Sequence, residues 1–152
     1  MTSAYRKVLV AVDGSPAAGK GLREAIRVAE AGGGGLLILH VVNLFQVYYA
    51  MEGAGLGADV HERLREEGRR ILEKARALAA RRRLEPKIVM REIAAGSAAQ
   101  AIVQEAKKQR ADLIVLGTHG RRGMTRLVMG SDAEEVVRTA PVPVLLVRAG
   151  KG

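Results

Sequence analysis

Four glycines and a serine in the last third of the sequence have the spacing of a loop that binds phosphate. Gly117 ends a short aliphatic run, Gly120 and Gly123 come next, and Gly130 stands directly before Ser131. Glycines let the backbone adopt positive φ and approach a ligand closely. A helix that begins after them would offer unpaired N–H groups and a partial positive charge. The pattern therefore predicts a seat for an anion, most often a phosphate.

Five apolar runs alternate with helical patterns and must position this loop. The runs cover residues 7–12, 36–42, 87–93, 113–116 and 141–147, and helices are predicted at residues 16–32, 58–83 and 97–110, with a last one starting near residue 131. Residues 43–57 show no clear period and are predicted to be a long loop. The alternation predicts an α/β three-layer sandwich with a five-stranded parallel sheet and right-handed crossovers.

Capping residues mark three of the predicted helix starts. Ser15 precedes Pro16 as an N-cap precedes a first-turn proline, and Ser97 with Gln100 forms a capping box. Ser131 with Glu134 predicts a second capping box. In the last helix the spacing predicts an inward face that consists of Ala133, Val136, Val137 and Ala140.

Asp13 ends the first predicted strand, and the Gly117 loop ends the fourth. In an open parallel sheet, ligands bind beyond the carboxyl ends of the strands, where the strand order reverses. For the order 3-2-1-4-5 the reversal lies between the first and fourth strands, so Asp13 and Gly117 are expected to face one crevice. The Asp13 carboxylate could accept hydrogen bonds from ligand hydroxyls there, or it could simply form the turn.

Composition narrows the classes of function. Residues 1–152 are predicted to form a single domain with one core. The formal charge of +9 suggests nucleic acid, but aromatic residues are 3% of the chain and the basic residues are spread along helices, so nucleic acid is not an expected partner. There is no cysteine, and the apolar runs are too short to span a bilayer, which predicts a cytoplasmic protein without a membrane partner.

The stretch GSPAAGKG, which begins at Gly14, is one residue short of a P-loop. Gly21 lacks the hydroxyl group that would hold magnesium, and Pro16 removes an N–H group from the phosphate cradle. Gly19 and Lys20 are therefore predicted to be ordinary residues of a surface helix.

The glycine spacing resembles that of the universal stress protein family. The signature G-x2-G-x9-G-[ST] of its ATP-binding branch fits Gly117, Gly120, Gly130 and Ser131. The segments VAVDGS, LHVV, GTHG and PVPVLLV look like the same family across the whole chain. The resemblance implies a Rossmann-like, adenine nucleotide alpha hydrolase-like fold and an ATP-binding protein that acts as a nucleotide-dependent sensor or regulator in the stress response.

The resemblance assigns the nucleoside end of the ligand to the first two strands. Asp13 matches the acidic residue near the ribose, where its carboxylate would accept hydrogen bonds from hydroxyl groups. Val41 matches the position whose backbone meets the adenine edge, although from the sequence alone it is simply a core valine. Ala11, in the VAVDGS segment, is included among the nucleotide contacts.

The resemblance assigns the phosphate end to the glycine-rich loop and the helix that follows. The loop backbone would wrap the phosphates, Arg121 or Arg122 would supply countercharge, and His119 either contacts phosphate or has a structural role. Ser131 is either a plain N-cap or also closes the site with Gly130. The contacts expected at this end are Gly117, His119, Gly120, Arg121, Arg122, Gly123, Gly130, Ser131 and Asp132.

Acidic residues after the loop indicate a bound cation. Asp132, Glu134 and Glu135 place negative charge in the first turns of the last helix, where it would repel a triphosphate that faced it. A divalent ion that bridges the phosphates would resolve the repulsion, so Mg²⁺ or Mn²⁺ is expected with the nucleotide. The protein itself is expected to build no metal site, since His40 is predicted to be a buried strand residue and His61 a surface helix residue.

Catalysis has less support than binding. A hydrolase or kinase needs a placed base or nucleophile, and the sequence shows no nucleophile elbow and no paired carboxylates at a suitable spacing. The expected activity is binding of ATP, ADP or AMP with at most slow hydrolysis. The alternatives are a slow ATPase or phosphotransferase that uses the same pocket, and a nucleotide-free dimeric interaction module, which the intact glycine spacing disfavours.

The last strand predicts a partner. Pro143 cannot donate a ladder hydrogen bond, which places this strand at a sheet edge, yet the residues after it are as apolar as those of a central strand. An uncovered apolar edge promotes aggregation. A second copy is therefore expected to cover the segment between Val142 and Val147, which makes a homodimer.

Overall fold

The computed structural model of the chain describes residues 4–50, 57–118 and 129–149. Its five strands are β1 (Lys7–Ala11), β2 (Gly35–Asn43), β3 (Lys87–Ile93), β4 (Leu113–Thr118) and β5 (Val144–Arg148). All neighbouring strands pair in parallel, in the order β3-β2-β1-β4-β5. The predicted Rossmann-like sheet and its 3-2-1-4-5 order are thereby confirmed, with β1 in the centre and β3 and β5 at the edges.

Helices cover both faces of the sheet. They are α1 (Pro16–Gly32), α2 (Leu44–Ala50), α3 (Ala58–Ala80), α4 (Ala98–Gln109) and α5 (Ser131–Thr139). Val8 and Val10 of β1 belong to a core formed with α1 and α3, and Leu9 belongs to a second core formed with α4 and α5. Because successive strand residues point to opposite faces, the central strand is apolar at nearly every position and is buried on both sides.

Two helix starts agree with the sequence analysis. The Ser15 side chain accepts a hydrogen bond from the Ala18 N–H at 3.2 Å, and Pro16 occupies the first turn of α1. Ser97 and Gln100 form the predicted capping box at the start of α4. These side chains satisfy first-turn N–H groups that would otherwise lack partners.

The predicted capping box at Ser131 is wrong. Gly130 takes the N-cap position with extended backbone angles, φ −62 and ψ 154, and Ser131 is the first residue of α5. No side chain caps this helix within the described residues. A glycine can take the N-cap conformation as well as a serine can, so the helix begins one position earlier than the serine pattern indicates.

Three other predictions need correction. Residues 44–50 of the predicted loop form α2, which has seven residues and is too short for a helical period to stand out. Gly117 continues β4, opposite Val147 of β5, and does not begin the loop. Val137 does not face inward but is 45% exposed, because it lies about 100° around the helix from the fully buried Val136.

Among the helices that the structure describes, none is long and apolar enough to cross a membrane.

Candidate functional site

A cavity of about 400 Å³ opens at the carboxyl ends of β1, β2 and β4. Its strand residues include Ala11, Asn43 and Leu116, and the first turns of α1, α4 and α5 complete its walls. The cavity lies where the strand order reverses between β1 and β4, which is the crevice that the topology predicted.

Seven of the twelve predicted nucleotide contacts line this one cavity. They come from four segments that are far apart in the chain and are Ala11, Asp13, Val41, Gly117, Gly130, Ser131 and Asp132. The other five predicted contacts, in the glycine-rich loop, lie outside the described residues and are His119, Gly120, Arg121, Arg122 and Gly123. The fold brings the seven together, while the binding role of all twelve stays a prediction.

Asp13 forms the turn that leads from β1 into α1. Its Oδ1 accepts a hydrogen bond from the Ser15 N–H at 2.9 Å, and Gly14 between them has a φ of +84°. Within the described part of the chain, Oδ2 has no hydrogen-bond partner, and the residue is exposed. One carboxylate oxygen therefore holds the turn while the other is available to a ligand, so the two roles considered for Asp13 are compatible.

Three helices begin at the cavity. Ser15, Ala17 and Ala18 come from the start of α1, Ala98 begins α4, and the residues from Gly130 onward begin α5. Each helix start carries a partial positive charge that favours an anion. Because no side chain caps α5 within the described residues, the first N–H groups of this helix remain open to a ligand.

Asp132 is the acidic residue of α5 that lines the cavity; Glu134 and Glu135 do not line it. The Asp132 Oδ1 accepts a hydrogen bond from the Ala99 N–H in the first turn of α4, at 3.3 Å. This contact joins two of the helix starts, and the positive end of α4 partly offsets the Asp132 charge. Of the three acidic residues that were expected to repel a triphosphate, only Asp132 therefore lines the cavity.

The described lining residues include no basic side chain. Their polar side chains are Asp13, Ser15, Asn43, Ser131 and Asp132. Countercharge for an anion would therefore come from the helix starts, from a bound cation or from Arg121 or Arg122, whose contact with the phosphates is a prediction. No group of three or more His, Cys, Asp or Glu that could hold a metal ion occurs within the described residues.

The two histidines of the described chain lie away from the cavity lining. His40 of β2 is buried, as predicted, and its Nδ1 lies 2.8 Å from the Val12 carbonyl oxygen, to which it donates. This bond ties the end of β1 to β2 just before Asp13. His61 lies on α3 as predicted but is half-buried.

Several lining residues were not predicted, and most of them share one signal. They are Val12, Ser15, Ala17, Ala18, Asn43, Ala98, Ile102, Leu116 and Ala133. Five of them lie in or just before the first turns of α1, α4 and α5. In a parallel sheet, each helix that follows a strand begins near the carboxyl end of the sheet, so first-turn residues at the reversal point can be predicted from topology.

Solved structures share this fold. A universal stress protein family member from Burkholderia pseudomallei is 31% identical, with a TM-score of 0.76, and the alignment covers 94% of this chain and 96% of that one. A universal stress protein in complex with cAMP is 24% identical with a TM-score of 0.62, covering 97% of this chain and 100% of that one. One from Archaeoglobus fulgidus in complex with dAMP is 22% identical with a TM-score of 0.66, covering 94% and 98%.

Sequence comparison identifies the family. The pattern of the universal stress protein family matches residues 4–148. A universal stress protein of Methanocaldococcus jannaschii is 32% identical over 147 residues, which cover 97% of this chain and 84% of the relative. The matched region includes every described strand and helix, together with the residues that line the cavity. The chain therefore belongs to the universal stress protein family.

Proposed function

We propose that the chain is a single-domain, ATP-binding sensor or regulator that holds its nucleotide in the cavity between β1 and β4. The observation that carries this proposal is that seven predicted contacts, from four separate segments, line one cavity. At about 400 Å³ the cavity falls within the usual size range of small-molecule sites. The solved structures of other universal stress proteins in complex with cAMP and with dAMP support an adenine nucleotide as the class of ligand.

The nucleoside would lie against β1 and β2. The Asp13 Oδ2 would accept hydrogen bonds from ribose hydroxyl groups, while Oδ1 keeps its bond to the Ser15 N–H. The Val41 backbone would meet the adenine edge, because this residue lines the cavity near the end of β2. The small residues Ala17 and Ala18 leave room for the nucleoside beside α1.

The phosphates would lie at the start of α5. Gly130 and Ser131 line the cavity there, and the first N–H groups of the helix have no side-chain cap among the described residues. The glycine-rich loop would wrap the outer phosphates, which is why we propose ATP and not AMP as the ligand. Asp132 faces the same cavity, so Mg²⁺ or Mn²⁺ on the phosphates would bridge them to this carboxylate.

We further propose that the protein is a cytoplasmic homodimer that pairs through β5. This strand is at the sheet edge, and its residues from Val144 to Val147 are only half-buried in the single chain. An apolar edge strand is a template for pairing with another chain, and a second copy offers the same edge.

Mass spectrometry of nucleotide released from freshly purified, denatured protein tests the ligand. We expect an adenine nucleotide, and we expect ATP with Mg²⁺ to raise the Tm of nucleotide-free protein while GTP with Mg²⁺ does not. Absence of both co-purified nucleotide and the shift in Tm would support the nucleotide-free interaction module. Sustained phosphate release that Gly120→Val abolishes would favour the ATPase or phosphotransferase instead.

A further inference from the structure

A second cavity, of about 490 Å³, lies between α1 and α3 on the other side of the Asp13 turn. We call it the α1–α3 groove. Its floor is apolar and is formed by Leu22, Ile71, Ala75 and Leu78. Its rim carries the cations Arg23, Arg70 and Lys74. An apolar floor with a few charged groups at its edge is the usual construction of a small-molecule site.

The rim cations differ in their pairing from three other basic residues of α3, while Arg63, which is exposed and lies outside the groove, forms no ion pair among the described residues either. Arg65 pairs with Glu92, and Arg69 and Arg76 pair with Glu62 and Glu73. Arg23, Arg70 and Lys74 form no ion pair and no hydrogen bond within the described chain. Three cations without partners thus surround one concavity.

The net charge of the groove lining is positive. Asp13 and Glu67 are its two carboxylates, against the three cations. Both carboxylates keep their negative charge, so the described lining carries one positive charge in excess. An anion entering the groove would therefore find an attractive field at short range.

We propose that the α1–α3 groove binds a small amphipathic anion, a molecule with a ring system or short acyl chain and one acidic head group. The apolar body would cover the floor between Leu22 and Ile71, because removal of apolar surface from water is favourable. The head group would lie at the rim between Arg23 on α1 and Lys74 on α3, where long side chains can reach it from both helices.

The groove shares a wall with the first cavity. Val12, Asp13, Ser15 and Ala18 line both. Gly14 packs so closely on α3 that a β-carbon on it would lie 3.3 Å from the Ile71 Cδ1. An occupant that rests on Ile71 would therefore lie against the turn that carries Asp13. The proposal itself stands on the groove residues and does not require that the first cavity binds nucleotide.

Titration of the full chain with 1-anilinonaphthalene-8-sulfonate, an aromatic sulfonate whose fluorescence rises on burial, tests the groove. We expect Arg70→Gln with Lys74→Gln to weaken binding about tenfold and Arg23→Gln about threefold to fivefold, as lost surface charge pairs do. Arg63→Gln is the matched control, because Arg63 is an exposed cation of α3 outside the groove, and it should leave binding unchanged. Equal weakening by Arg63→Gln, or none by the double variant, would overturn the proposal.

Competition separates the two parts of the proposed ligand. Octanoate, which has both an acyl chain and a carboxylate, should displace the probe, whereas inorganic phosphate and octanol at the same concentration should not. Displacement by phosphate alone would show a plain anion site, and displacement by octanol alone would show a plain apolar one; either result contradicts the proposal. Loss of probe binding as protein concentration rises would show that a second copy covers the groove, which also contradicts it.

Nucleotide titrations of the same variants keep the two hypotheses apart. If the double variant loses the probe but still gains Tm with ATP and Mg²⁺, the groove proposal stands beside the proposed function. If wild-type protein ignores ATP but binds the probe in the groove, the groove proposal survives and the proposed function fails.

Discussion

Gly117 of β4 lies so close to Ala17 of α1 that a β-carbon on Gly117 would stand 2.0 Å from the Ala17 carbonyl oxygen. Gly21, one turn further along α1, repeats the contact: a β-carbon there would lie 2.9 Å from the Gly117 nitrogen. The helix and the strand thus touch backbone to backbone, which holds the first turn of α1 at the wall of the cavity. The glycine assigned to phosphate binding is also required by packing.

Gly117→Ala is therefore expected to destabilise the fold. The added methyl group meets backbone atoms that cannot rotate away, so we expect the free energy of unfolding to fall by about 2 to 4 kcal/mol. Urea unfolding monitored by circular dichroism measures the change. Gly19→Ala is the control, because a β-carbon at Gly19 would have no atom within 4 Å. Alanine also favours the helix over glycine by up to about 1 kcal/mol, so this variant should be at least as stable as wild type. A Gly117→Ala protein as stable as wild type would contradict the packing argument.

Substitutions of Asp13 should separate its two roles. Asp13→Asn keeps an oxygen that can accept from the Ser15 N–H, so we expect little change in Tm, but loss of the charge should weaken ATP binding about fivefold. Asp13→Ala should lower both the Tm and the affinity for ATP. Calorimetric titration and thermal unfolding give the two values. If Asp13→Asn binds ATP as wild type does, the carboxylate serves the turn alone.

The strands could be predicted because strong local patterns specify them, and the crevice then follows from the strand order 3-2-1-4-5. β1 and β4 are apolar at almost every position, which a parallel sheet covered on both faces requires, and the regular alternation with helices limits the connections to right-handed crossovers. Once the order was predicted, topology alone brought Asp13 and Gly117 to one cavity. The prediction of the seven site residues that the structure describes therefore rested on the expected fold and on the family resemblance together.

Other features depend on contacts that no local pattern contains. Gly130 and Ser131 can both serve as an N-cap, and only the path of the chain from the loop decides between them. Val137 has the spacing of an inward residue, but α5 turns this position to solvent. The position of Arg70 and Lys74 beside a concavity depends on where α1 lies, so the α1–α3 groove could not be inferred from the sequence of α3 alone.

Asp132 gives the expected divalent cation a specific test. We expect ATP to bind about tenfold more tightly with Mg²⁺ than with EDTA, because the ion would bridge the phosphates to this carboxylate. Asp132→Asn should remove most of that difference while it keeps an acceptor for the Ala99 N–H, so the Tm should change little. Titration calorimetry of both proteins with and without Mg²⁺ provides the comparison. An undiminished Mg²⁺ effect in Asp132→Asn would place the ion away from this residue.

The dimer prediction can be tested at the outer edge of β5. Val144 lies opposite Ile114, and the Ile114 N–H donates to the Pro143 carbonyl, so alternation turns the N–H groups of Val144 and Leu146 away from β4. Leu146→Pro should therefore block pairing between copies while it leaves the β4 ladder in place, at some loss of packing. Light scattering at micromolar concentration should show a dimer for wild type and a monomer for the folded variant. A wild-type protein that is a monodisperse monomer would refute the dimer.

The ion pair between Arg65 of α3 and Glu92 of β3 should make stability depend on pH. The hydrogen bond from Arg65 lowers the pKa of the Glu92 carboxyl below its usual value of 4.5, and burial opposes this only in part. Because the folded state lowers the pKa, the pair stabilises the fold above pH 4.5, and this contribution is lost as the pH falls through the lowered value.

Glu92→Gln should accordingly have a lower Tm than wild type at pH 7, with a difference that shrinks in acid and in high salt. Glu66→Gln, at an exposed glutamate of α3 that forms no ion pair among the described residues, is the control. Calorimetric melting of the three proteins between pH 7 and values below pH 4.5 measures the Tm differences. A Tm difference between Glu92→Gln and wild type that persists unchanged in acid would exclude the ion pair as its cause.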